Sequence, residues 1–350
     1  MKIGLGMAAL GRPGYINLQR NTHLTSRTIE GMQQQANAVI DELFQQCLEI
    51  NKSTPAESDG GKIVPWLDCA RSYGLSEKFV GEYLRENNVR PEDVYVSSKW
   101  GYTYVADWKV ELGEREPHEV KDHSLENFMK QVQETDSHIG PYLNLYQVHS
   151  ATFDSGILTN TQVHEALHKC RVEKGWKLGL SMSGPNQDEI IREALKINVG
   201  DEQSTTATPS TTKQKHTRLF DSVQCTYNIL EQRPSLALME AHNAGMDIII
   251  KEGLANGRAL LYPKLAEMAR RVGCSTDALA LGAILAQPFQ PRVLSGAVTK
   301  EQLRSNLDAL SVAEKLMGTE EGKEVLKELM DECKMESEEY WKERSALKWN

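Results

Sequence analysis

The sequence predicts an α/β chain folded as a single (β/α)8 barrel of the TIM type. Eight short runs rich in apolar and β-branched residues alternate with segments of helical period, the pattern of parallel strands joined by helical crossovers. Residues able to do chemistry stand at the downstream ends of those runs, where the loops of such a barrel build its active site. The 350 residues exceed an average domain, but barrels reach this length as one unit. Residues 1–350 are therefore read as one domain.

The first strand is the run KIGLGMAAL, which breaks at Gly11, Arg12 and Pro13. The other seven are KIVPWLD, DVYVSSKW, YLNLYQVH, KLGLSMS, DSVQCTYN, MDIIIKE and RVLSGAV. Apolar spacing and capping residues predict the intervening helices over 28–50, 76–87, 121–138, 161–174, 186–196, 234–244, 263–272 and 299–309. An extra helix over 276–286 is expected before the last strand, and one or two more in the charged tail 319–346. Residues 51–61 and 200–217 are rich in Ser, Thr, Pro and Gly and nearly lack apolar anchors. They cannot offset the entropy of ordering, so both are read as flexible insertions.

Apolar residues make up 40% of the chain and charged residues 25%, enough for a large core with a solvated surface. Forty basic against forty-nine acidic residues give a net charge of −9, which offers no general attraction for phosphate backbones or anionic lipid, so no nucleic acid or membrane partner is expected. The first run is too short and too weakly charged for a secretory signal, and none of the later runs approaches a membrane span. The six cysteines show no metal-ligand or redox-motif spacing. Buried thiols, no metal and a reducing, cytoplasmic setting are the expectation.

Asp68, Tyr73, Lys99 and His149 fall at the ends of the second, third and fourth runs. Each alone reads as an ordinary loop or core residue. Brought to one barrel edge, they would form a set able to move a proton onto a carbonyl oxygen. A phenol titrates near pH ~10, and a nearby ammonium would lower that value toward neutrality. Lys99 would be that ammonium, Asp68 its partner, and His149 a hydrogen-bond donor to the substrate oxygen. Trp100 and Tyr102, just beyond Lys99, are expected to wall the substrate pocket, with Tyr104 and Trp108 left open. Tyr340, Trp341 and Trp349 read as packing anchors.

The strings GLGMAALG, LDCARSYG, SSKWGY and YQVHS, in register with a barrel, resemble the aldo-keto reductase superfamily over essentially the chain from Lys2 to about Leu310. The resemblance implies hydride transfer between a nicotinamide coenzyme and a small carbonyl or sugar substrate. It makes Tyr73 the general acid, Lys99 and Asp68 its tuning pair and His149 the orienting group. It also implies coenzyme contacts at Ser181, Gln224 and Asn306, and at the helix start after the last strand, where Thr299 and Gln302 have capping-box spacing. Met182 stands where the family usually has Asn, and Lys251 where many members stack a tyrosine. Gly296 and Gln302 replace residues that grip a 2′-phosphate in many members, with Lys300 and Arg304 as substitutes. NADP(H) is the first choice and NAD(H) the second.

Two other classes fit the sequence less well. A catalytically slow nicotinamide-binding redox sensor or regulatory subunit would not need both Tyr73 and His149. A barrel hydrolase would need a second carboxylate facing Asp68, for which Glu252 is the nearest candidate.

Overall fold

The structure is a computed structural model that describes residues 1–53, 62–113, 116–200 and 216–350. Eight parallel strands close into a barrel: Ile3–Gly6, Trp66–Asp68, Tyr95–Trp100, Leu143–Ala151, Lys177–Met182, Ser222–Thr226, Asp247–Lys251 and Arg292–Ser295. Closure comes from the first strand pairing with both the last and the second, through Ile3↔Val293 and Gly6↔Asp68. All eight match the runs read from the sequence.

Around the barrel lie α1 (Ile29–Ser53), α2 (Ser76–Glu86), α3 (Leu125–Ile139), α4 (Thr161–Lys174), α5 (Gln187–Lys196), α6 (Ser235–Asn243) and α7 (Pro263–Val272). They are followed by α8 (Thr276–Leu285), α9 (Lys300–Leu307), α10 (Ala309–Gly318), α11 (Glu320–Cys333) and α12 (Ser337–Ser345). Every residue of α8 from Ala278 to Leu285 is buried, because α10 and the barrel cover it from two sides. That explains a helix with no polar face.

The structure departs from expectation in several places, among them α10 over Ala309–Gly318, where the sequence predicts no helix between 309 and 319. Residues 51–53 continue α1 rather than opening an insertion, and Asn51 fixes the helix end by exchanging hydrogen bonds with Ile63 at 2.7 and 2.9 Å. Residues 54–61 and 201–215 lie outside the described part, but Asn198–Gly200 and His216–Arg218 pair as an antiparallel hairpin. The helix expected from 121 begins at Leu125, capped by Ser124, because Glu119–Lys121 pairs instead with Tyr102–Tyr104.

Inside the barrel the side chains form layers. Trp66, Leu145, Ile249 and Leu294 make an apolar floor. Toward the strands' downstream ends, a buried polar layer of Asp68, Ser97, Lys99, Gln147 and Gln224 lies above it. An apolar floor that excludes water makes the charges above it strong.

Candidate active site

Strand alternation decides which side chains enter the barrel. In the third strand Ser97 and Lys99 point inward, while Ser98 and Trp100 face the helices. Ser98 donates to Glu77 of α2 at 2.5 Å, and the Trp100 ring lies 4.7 Å from Phe128 of α3. Lys99 Nζ donates to Asp68 Oδ2 at 2.5 Å and to the Cys69 carbonyl at 2.8 Å. Asp68 Oδ1 accepts from Ser97 Oγ at 2.7 Å, with Gln224 and Gln147 at 3.3 and 3.4 Å. A wholly buried ion pair is tolerable only when neighbouring donors complete it, and here they do.

Tyr73 reaches the same place from a tight turn in which its N–H donates to the Ala70 carbonyl at 3.0 Å. Gly74 follows with φ of 60°, and a Cβ there would meet the Gly11 carbonyl oxygen at 2.5 Å. Only glycine fits both constraints. His149 is aimed by a bulge: pairing between the fourth and fifth strands slips between Val148 and Ala151, and Ser150 takes a left-handed φ of 52°. The Tyr73 and His149 rings meet edge to face, 5.5 Å apart. His149 Nδ1 lies 3.4 Å from Ser72 Oγ, and its carbonyl accepts from His123 Nε2 at 2.9 Å.

Burial, and then the Asp68 carboxylate, push the Tyr73 hydroxyl well above its ordinary range. The net shift is thus opposite to the lowering toward neutrality expected from Lys99. The ammonium sits against the ring face, 4.8 Å from its centroid, and its charge is matched by Asp68. Burial, followed by Lys99 and Lys251, holds His149 well below its usual range. A protonated phenol and a neutral imidazole therefore face one space.

That space is a cleft of about 590 Å³. Of the residues expected on it, Asp68, Tyr73, His149, Gln224, Lys251, Gly296, Gln302 and Asn306 line it. Lys99 lies beneath. Ser181 is buried in the barrel wall, where its hydroxyl accepts from Ser150 N at 3.2 Å. Lys251 donates to Thr226 and Ser183 at 2.8 and 3.1 Å. Thr299 caps α9 by accepting from Gln302 N at 3.2 Å, and Gln302 Oε1 accepts from Val298 N at 2.9 Å. Lys300 and Arg304 are not on the cleft wall, and Arg304 is gripped by Glu42 through two contacts of 2.7 Å. Trp100 and Tyr102 do not line the pocket either, because Trp100 points into the helix layer and the Tyr102 ring packs on the His149 ring at 5.1 Å.

The family profile described as Aldo/keto reductase family matches residues 58–317. The chain belongs to that family. No curated protein matches significantly. Among solved structures, an aldo-keto reductase from Bacillus halodurans in holo form superposes with a TM-score of 0.60 at 22% identity, over 96% of this chain and 94% of that chain. A Pseudomonas aeruginosa protein assigned to the aldo-keto reductases gives 0.55 at 20% identity, over 90% of this chain and 91% of that chain. These structures establish the common barrel.

Membership places the chain among oxidoreductases that generally use nicotinamide coenzymes on small carbonyl compounds. The cleft suits such a coenzyme: Gln224 lines it, and Gln224 Oε1 is buried without a partner, an acceptor that an amide N–H would satisfy. Several cleft residues of this aldo-keto reductase were missed in the sequence. Arg12 is buried beside Tyr73, its guanidinium carbon 5.3 Å from that ring, and donates to Glu119 and the Ser72 carbonyl at 2.8 Å each. The strand-end rule that found Asp68 also applies after the first strand, where Arg12 was read only as a break. Trp349 does more than the packing its sequence position predicts. It lines the cleft, with its ring stacked on His118 at 3.9 Å and 4.6 Å from Arg12. The tail residue Arg344 binds Glu252 at 2.7 Å. Burial would raise the Glu252 carboxyl, but Arg344 and Lys251 hold it at about 2, unsuited to be the acid of a hydrolase.

Proposed function

We propose that this chain transfers a hydride between a nicotinamide dinucleotide and the carbonyl or alcohol of a small aldehyde, ketone or sugar, with Tyr73 as general acid. The convergence of Tyr73, His149 and the Asp68–Lys99 pair at one end of one cleft carries the reading. The coenzyme supplies the hydride, and the chain supplies position, a proton and a dry field.

Tyr73 stays protonated in the cleft, so the proton is available when negative charge develops on the carbonyl oxygen. Reprotonation of the phenolate completes the cycle, and the ammonium of Lys99 against the ring stabilises it meanwhile. His149 stays neutral and can donate from Nε2 while Ser72 holds Nδ1, fixing the substrate oxygen beside Tyr73. Gln224, Gly296, Gln302 and Asn306 line the part of the cleft that would hold the dinucleotide. Of the two coenzymes, NADP(H) loses the support of Arg304, which Glu42 occupies.

The test mixes purified protein with each reduced coenzyme and a panel of aldehydes, ketones and sugars, following absorbance of the reduced nicotinamide. Turnover of at least one carbonyl is expected. Coenzyme binding without turnover on any would instead favour the redox-sensor reading.

A further inference from the structure

We propose that the cleft selects the dinucleotide lacking the 2′-phosphate, NAD(H), and that Glu42 and Glu301 are the residues that reject the phosphorylated form. This rests on the reading that the cleft holds a nicotinamide dinucleotide.

The arginines and lysine that line the cleft are Arg12, Arg20, Lys251 and Arg344, and each is engaged. Arg12 binds Glu119, and Arg344 binds Glu252. Lys251 donates to Thr226 and Ser183. Arg20 spends its donors on the carbonyls of Ala9, Pro13 and Arg12. Around the start of α9 the cleft wall is Gly296, Glu301, Gln302, Ser305 and Asn306, with Asp277. That wall carries two carboxylates and no cation.

Of the two cations on α9, Lys300 is not on the cleft wall, and Arg304 is held in a fork-to-fork pair by Glu42 of α1, with Nε and Nη2 each 2.7 Å from a carboxylate oxygen. Glu42 is itself only 4% exposed and is fixed by Gln46 at 2.9 Å. The Arg304 side chain is 56% exposed and the pair is partly screened, but its two parallel charge-assisted bonds bias the guanidinium toward Glu42. Glu301 lies in the first turn of α9 and lines the cleft, so the helix start already has an anion beside it. A ribose diol can donate hydrogen bonds to carboxylates on this wall. A dianionic phosphate would meet like charge, the repulsive element by which a site rejects a near-identical ligand.

Calorimetric titration of the purified protein with NADH and NADPH tests this without depending on turnover. The wild-type protein should bind NADH at least about tenfold more tightly. Glu42→Ala, which frees Arg304, should tighten NADPH by about tenfold and leave NADH unchanged, and adding Arg304→Ala should erase the gain. Glu301→Gln, on an exposed side chain, should narrow the ratio independently should Glu42→Ala fail to fold. NADPH binding as tightly as NADH in the wild type, or an unchanged ratio in the folded variants, would overturn the proposal and leave the oxidoreductase reading intact. Binding of neither dinucleotide would remove both.

Discussion

At the scale of single residues, the site is defined by two groups kept in their neutral forms. Burial and Asp68 hold the Tyr73 proton on, and burial together with Lys99 and Lys251 keeps His149 uncharged. The pH consequence follows in sign. Because the phenol is protonated below its raised range and the imidazole is neutral above its lowered one, neither group changes state across neutrality. Carbonyl reduction, read as kcat/KM, should be flat from about pH 6 to 9. Alcohol oxidation needs the phenol deprotonated, so its rate should climb with pH over the same interval. A reduction profile that falls with a midpoint near pH ~7 would show a different group acting as acid.

At the scale of elements, the backbone aims these groups. The turn carrying Tyr73 is pressed against Gly11 through Gly74, whose positive φ and lack of a side chain leave no room for substitution. Gly74→Ala should cost about 1 to 3 kcal/mol in denaturant unfolding and lower turnover by displacing Tyr73. A variant with unchanged stability and turnover would show that the turn does not set the phenol's position. The strands and most helices were legible because barrel strands and amphipathic helices write their period into the sequence. The hairpin between Tyr102–Tyr104 and Glu119–Lys121 was not, since three-residue strands are too short to show one. Trp100 illustrates a further limit. Its place beside Lys99 suggested the pocket, but adjacent strand residues face opposite sides, so the same alternation that brings Lys99 in sends Trp100 out.

At the scale of the whole molecule, the cleft is finished by parts remote in sequence. Arg344 of α12 pairs with Glu252 after the seventh strand on the cleft wall, and off that wall Glu42 of α1 pairs with Arg304 of α9. Contacts of that kind carry no local signature. The four residues at the strand ends could be read in advance because barrel topology brings those ends together, whereas the closing of Arg304 could not. The barrel's central part in this account is to hold a phenol against a reacting carbonyl while the coenzyme is bound by other walls. Tyr73→Phe tests that claim most directly, with coenzyme affinity from calorimetry and turnover from nicotinamide absorbance measured on the same sample. The account predicts coenzyme binding within about twofold of wild type and turnover lower by about 10²-fold or more. Turnover near the wild-type value in a folded Tyr73→Phe protein would contradict it.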